Sequence, residues 1–294
     1  MAAAAGAAAV RAENSLTARY TLGVSDDSTL IDAIRADPDD RDLRRVYADW
    51  LEDRGDARAE LLRAELAIEL LCVDHPGWAD LQDRICKLRG DLDPGWLQLV
   101  SSVRVGAEGR GCVCGADDRS PELELHRELQ DTESPGWRRL QELIDEAAAD
   151  GRSEFAPAGE MTPEEWADIV SLPPSIATLT QVESLMLYGS HISRIPPEIG
   201  QMVNLRKFTP YTSYRLHWFP YEITHCPRLS GSTVSTRTLY GNYKYRAPFP
   251  RLGPTPPATR ACSVCRQPFE DRGEHRVWVS HRVATDVLPL LVNA

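Results

Sequence analysis

Cys262 and Cys265, in the stretch RACSVCRQPFEDRGEHRVWVSHR, are the residues whose type and spacing point most directly to chemistry. A C-x-x-C pair in a tight knuckle, with Phe269 close behind, places two thiolates on one side of a turn, which is half of a tetrahedral zinc site. His275 is the best third ligand in the stretch, since His281 falls within the strand-like run VWVSHRVATDVL. Cys112 and Cys114 contribute only if their loop folds back on this tail. Two ligands alone bind zinc weakly, so a pair of free thiols at a surface turn is the competing reading. No other catalytic pattern accompanies the pair: there is no nucleophile elbow, phosphate-binding loop, dinucleotide fingerprint or H-E-x-x-H. A carboxylate pair picked from 44 acidic residues would be arbitrary. The expectation is that the chain is not an enzyme.

A second set of candidate residues comes from internal repetition. LPPSIATLTQVESLMLYGSHIS from Leu172 is followed by IPPEIGQMVNLRKFTPYTSYRL from Ile195 and FPYEITHCPRLSGSTVSTRTL from Phe219, at spacings of 23 and 24 residues. Pro173, Pro196 and Pro220 fall in register, as do Ile176, Ile199 and Ile223, then Leu179, Met202 and Cys226, then Val182, Leu205 and Leu229. This pattern resembles the LPxxIxxLxxLxxLxL type of leucine-rich repeat, in which each unit supplies one short strand and must stack on its neighbours to bury its apolar side. Alternation along the strands points Leu185 and Leu187 inward and Ser184, Met186 and Tyr188 outward. In the second unit the outward set is Arg206, Lys207, Thr209 and Tyr211. Methionine, tyrosine and basic side chains on a concave sheet suit a protein or peptide partner, because they combine apolar area with charge-assisted hydrogen bonds. The repeats are imperfect. Ser190 and Ser213 stand where the family has an asparagine, Pro210 stands at an inward strand position, and the third unit keeps only its first half.

The elements that must position these residues begin with helices. Asp40 caps a run in which Leu43, Val46, Tyr47, Trp50 and Leu51 form one apolar face, and Tyr47 and Trp50 are expected in the core. A following helix turns Leu61, Leu62, Leu66 and Ile68 inward. The run from Leu30 to Ile68, and Tyr47-Ala48-Asp49-Trp50-Leu51-Glu52 most specifically, resembles the repeat-companion domain found near the N-termini of bacterial leucine-rich-repeat proteins. That resemblance implies architecture and repeat partnership rather than an activity. It also implies a second Cys pair just beyond residue 294, completing a zinc-ribbon-like tail.

The expected fold class is therefore α+β: an all-helical domain, a short leucine-rich-repeat sheet, and a small Cys-containing β tail. The boundaries read from composition are an Ala-rich disordered tail over 1–24, the helical companion domain over 25–104, and a linker with one or two helices over 105–161. The repeats with an N-terminal covering helix at 162–171 occupy 162–250, with a terminal hairpin around Gly241-Asn242, and the tail is 251–294. The segment 152–159 reads as linker.

Charge divides the chain. Fourteen Lys/Arg face seven Asp/Glu in residues 171–294, a net +7, which leaves −18 for residues 1–170 and −11 overall. The acidic helices either dock on the basic half or leave it to an external anion. Aromatics between Tyr211 and Phe249 alternate with Arg215, His217, Arg228, Arg237, Lys244 and Arg246, which keeps RNA or DNA binding as an alternative to a protein partner. A ubiquitin-ligase-like or other zinc-dependent enzyme component is the other alternative. With seven scattered cysteines and no apolar run long enough to span a bilayer, a cytoplasmic protein with no membrane contact is expected.

Overall fold

The computed structural model describes residues 26–71, 73, 75, 77–106, 126–213, 215–233, 261–269 and 275–294. The chain is mixed α and β, with seven α-helices and two small sheets among the described residues. It divides into two compact units: one holds the chain through Glu69 together with Lys87–Val103, and the other holds Leu70–Cys86 together with Arg104–Ala294. No helix among the described residues is long and apolar enough to cross a membrane.

The first unit is helical. α1 (Asp27–Ala36) starts at Asp26, whose carboxylate accepts from the Ser28 N–H, and α2 (Arg41–Glu52) starts at Asp40, which accepts from the Leu43 N–H. These caps satisfy N–H groups that the first helical turn leaves without partners. Gly55, at φ 67°, supplies the left-handed turn into α3 (Arg58–Leu70). Only the last turn of α4 (Trp78–Gly90), from Lys87, belongs to this unit, and α5 (Pro94–Val100), capped by Asp93, follows it. Leu43, Tyr47, Leu51, Leu61, Leu62, Ile68 and Trp96 are buried together in this unit's core. Tyr47 organises the polar part of that core. Its hydroxyl donates to Asp27 at 2.6 Å and accepts from Trp96 Nε1 at 3.1 Å and Arg58 Nη1 at 3.3 Å. Burial, followed by the Asp27 hydrogen bond, raises the tyrosine pKa well above its usual range, so the phenol stays neutral. Trp50 departs from expectation. It lies at the margin of the apolar stripe, half-buried, and the Arg54 guanidinium covers its ring 3.8 Å from the centroid. Asp49 turns away from the core and pairs with Arg63.

The second unit is built on a four-stranded parallel sheet of order β1-β2-β3-β5. α6 (Pro135–Asp150) is capped by Ser134 and ends at Gly151 in the left-handed region, and the chain then enters β1 (Glu154–Phe155). The segment 152–159 thus carries the first strand of the sheet and is not a linker. β1 pairs in register with β2 (Ser184–Met186), Phe155 opposite Leu185. The neighbour of β2 is therefore β1, and not the helix expected over 162–171. That helix is α7 (Pro163–Ala167), which starts with a full capping box between Thr162 and Glu165. β3 (Lys207–Thr209) and β5 (Gly231–Ser232) complete the sheet.

Before β2, before β3 and again before β5, the chain makes a 3-10 turn that follows a proline: Pro174–Thr178, Pro197–Gln201 and Tyr221–His225. Ile176, Ile199 and Ile223 are fully buried in these turns, and Leu179, Met202, Val182 and Leu205 pack in the same core. Side chains tie successive turns together. Cys226 Sγ donates to the Ile199 carbonyl at 3.2 Å, and Asn204 Nδ2 donates to the Thr180 carbonyl at 2.7 Å. The buried hydroxyls of Ser190 and Ser213 lie 2.6 Å apart, and Ser213 Oγ donates to the Leu187 carbonyl at 2.9 Å.

A second sheet, of order β4-β7-β6, follows. β4 (Phe219–Pro220) runs parallel to β7 (Asp286–Asn293), which forms an antiparallel hairpin with β6 (Arg276–Val283). The described hairpin is this one. The hairpin expected around Gly241-Asn242 lies outside the described residues.

Candidate partner face and cysteine knuckle

The register of β2 and β3 brings most of the outward candidates into rungs. Ser184 lies opposite Lys207 and Met186 opposite Thr209. The Leu187 and Gly189 N–H groups donate to the Thr209 and Tyr211 carbonyls, which carries the pairing past Pro210 and sets Tyr188 beside Tyr211. The two rings lie 5.7 Å apart at 33° and are 56% and 46% exposed, which is unusual for large aromatics. The chain turns sharply after each tyrosine, through Gly189 at φ 65° and, one repeat later, Thr212 at φ 63°. Thr212 is β-branched in the left-handed region, a strained choice of the kind that clusters at functional sites.

Two members of the outward set, Arg206 and Thr209, depart from the simple alternation. Arg206 and Lys207 are adjacent and cannot share a face: Lys207 takes the rung opposite Ser184, while Arg206 precedes the strand and pairs with Glu183 at 3.3 Å. Thr209 is on the rung of Met186 but is only 7% exposed. The buried hydroxyl oxygens of Ser184 and Thr209 have no hydrogen-bond partner among the described residues. Lys207 is exposed and has no ion pair among the described residues.

Among the described basic and aromatic residues that kept nucleic acid in view, Arg215 and His217 are buried, while Arg228 and Tyr211 are exposed. Arg215 is buried and paired with Glu128 at 2.7 Å, His217 is buried with its ring 5.0 Å from that of His126, and Arg228 donates to Asn204 at 2.6 Å. Arg237, Lys244 and Arg246 lie outside the described residues.

The cysteine knuckle is a closed turn. The Arg266 N–H donates to the Cys262 carbonyl at 2.8 Å and the Cys262 N–H to the Gln267 carbonyl at 2.9 Å, with Arg266 at φ 61°. Cys262 Sγ accepts from the backbone N–H of Cys265 and of Val264, and the first of these is the main cause of its lowered pKa. Ser263 fastens the turn to the end of β7, its N–H donating to the Asn293 carbonyl at 2.8 Å and its hydroxyl accepting from the Asn293 N–H at 3.2 Å. His275 pairs through its backbone with Ala294 at the same end of the hairpin. Among the described residues no three His, Cys, Asp or Glu side chains converge as a metal site, so Cys262 and Cys265 stand as a pair without His275. Cys112 and Cys114 lie outside the described residues.

The repeat spacing brought Tyr188 and Tyr211 to attention, but sequence reasoning missed the turn that presents them. Gly189-Ser190 and Thr212-Ser213 are in register at 23 residues, and that was the available signal. No protein-family model matches the chain, and neither the curated proteins nor the solved structures include a match.

Proposed function

We propose that this chain is a leucine-rich-repeat protein, with a repeat-companion domain at its N-terminal side, that acts without catalysis as an adaptor binding a protein or peptide. The contact face is the outward side of the parallel sheet, where Ser184, Met186 and Tyr188 stand beside Lys207, Thr209 and Tyr211. The exposed tyrosine pair carries this reading. Two rigid aromatic rings held side by side on a backbone ladder supply contact area at low entropic cost and are typical anchors of binding energy. Support for the repeat itself comes from the proline-capped turns recurring at the period of the sequence. Replacing Tyr188 and Tyr211 together by alanine removes the partner from an affinity capture of the native cell extract, a loss of at least about 2 kcal/mol of binding, and leaves the melting temperature nearly unchanged. Capture of the same partners by the double variant contradicts the assignment. Nucleic-acid affinity that falls steeply with salt in a filter-binding titration would favour the rival class.

The knuckle supports a second, smaller reading, in which Cys262 and Cys265 contribute two thiolates to a zinc site. The N–H donors around Cys262 favour a thiolate, and Arg266 holds the left-handed conformation that closes such a turn. Protein purified without chelator is expected to carry zinc that is lost in the Cys262→Ser, Cys265→Ser double variant. Less than about a tenth of an equivalent, unchanged in that variant, rules out the site.

A further inference from the structure

A cleft of about 450 Å³ opens within the second unit, away from the sheet face. Its apolar wall includes Leu172, Pro174, Ile195 and Pro196 from the first two proline-led turns, with Trp137 from α6. Trp78 and Arg194 also line it, and they are 5% and 4% exposed. The Arg194 guanidinium lies 5.3 Å from the centre of the Trp78 ring, and its Nη1 donates to the His126 carbonyl at 3.4 Å. Arg194 Nη2 and Trp78 Nε1 are both buried and have no hydrogen-bond partner among the described residues.

Both groups can only donate, so the partner missing from each is an acceptor. Glu128, the carboxylate acting on Arg194, is engaged by Arg215 at 2.7 Å and His126 at 3.3 Å, and its Oε2 is itself buried without a hydrogen bond among the described residues. Two buried N–H groups left unmatched on residues of one cleft are costly and call for an explanation. The volume falls in the range of small-molecule sites, and an apolar wall with a few convergent polar groups is their usual make-up.

We infer that this cleft binds a small monocarboxylate on an apolar body, its carboxylate taken by Arg194 Nη2 and Trp78 Nε1 and its body held against Leu172, Pro174, Ile195 and Pro196. Three carboxylates restrict the ligand's charge. Asp80, Asp83 and Glu198 line the same cleft, so a phosphate dianion is repelled where a single carboxylate is admitted. Asp83 accepts from the Thr132 hydroxyl at 3.0 Å, and Glu198 is half-buried, with burial raising its pKa. Both donor nitrogens belong to residues that line the cleft. The indole N–H of Trp78 is therefore the reporter.

The test is an NMR titration of the full chain, with the Trp78 indole signal assigned through Trp78→Phe. The probes are 4-phenylbutyrate, its neutral amide, inorganic phosphate, and an acetylated peptide ending in leucine with a free or an amidated C-terminus. The expected result is a saturable shift with 4-phenylbutyrate and none with the amide or with phosphate. A shift with the free-ended peptide and not with its amide assigns the natural ligand to a chain terminus, whereas a shift with 4-phenylbutyrate alone assigns it to a free acid. Arg194→Lys, which loses the planar guanidinium fork, weakens binding about tenfold. Should that variant fail to fold, Glu198→Gln carries the test, because removing a carboxylate from the cleft tightens the acid about threefold. Equal shifts from acid and amide, no shift with either acid, or unchanged affinity in a folded Arg194→Lys and in Glu198→Gln overturns the proposal.

Discussion

Gln130→Leu is expected to lower the stability of the second unit by about 3–5 kcal/mol, far more than a polar-to-apolar change in a core normally costs. Gln130 is fully buried, and its amide stands in for a strand at the edge of the repeats. Its Oε1 accepts from the N–H groups of Val170 at 2.7 Å and Ser171 at 3.2 Å, while its Nε2 donates to the carbonyls of Asp168 at 3.0 Å and Asp131 at 3.1 Å. Its own N–H donates to Gln82 Oε1 at 2.8 Å. Leucine fills the space but satisfies none of the four side-chain bonds, leaving the two backbone donors buried and unmet and the part-buried Asp168 carbonyl without this donor, while the Asp131 carbonyl keeps the Ser134 hydroxyl at 2.9 Å. Each unmet group costs about 1–3 kcal/mol, discounted where water reaches it. Urea denaturation followed by circular dichroism measures the loss, and a change under about 1 kcal/mol would show that Gln130 does not hold this edge.

The second large effect is expected at Gly136. Alanine in a helix ordinarily stabilises by up to about 1 kcal/mol over glycine. In α6 the reverse is expected, a loss of about 3 kcal/mol, because a methyl at Gly136 would overlap the Glu165 carbonyl oxygen and come within 2.8 Å of Asp168 Cβ. The Gly136 N–H also donates to Asp168 Oδ2 at 3.2 Å, which fixes the start of α6 against the chain leaving α7. Gly159→Ala is the control: no atom lies within 4 Å of its added methyl, and the change is expected to stay within about 0.5 kcal/mol. Equal melting temperatures for the two variants would mean that α6 and α7 do not meet as closely as described.

The parts of the fold legible in the sequence were those fixed by local chemistry or by recurrence. Asp40 caps a helix as its spacing to the next apolar face implied, and Ile176, Ile199 and Ile223 are buried as their register required. What escaped depended on groups far apart in the chain. β1 is two residues long, and Phe155 becomes a strand residue only because Leu185 lies opposite it. Gln130 gives no periodic signal at all, since an edge amide is defined by the backbone it meets. Arg194 gave no signal and Arg215 read as one of the basic residues open to nucleic acid, yet both are buried, and they meet the segment around Glu128 through the His126 carbonyl and the Glu128 carboxylate. At the candidate face, Met186, Tyr188 and Tyr211 followed from alternation, whereas Arg206 did not, since two adjacent residues cannot both face outward. The knuckle was legible as a pair of thiols, whereas the backbone pairing of His275 with Ala294 beside it was not, because it joins the chain before β6 to the residue after β7.

Site-specific photocrosslinking in the native cell tests most directly whether this face meets a partner. A benzophenone side chain placed at position 188 or 211 of the full chain lies on the tyrosine rung, while one at Val203, 48% exposed in the turn before β3, lies off it. The account predicts that positions 188 and 211 capture the same protein and that position 203 does not. Capture from position 203 alone, or of unrelated proteins from 188 and 211, would contradict it.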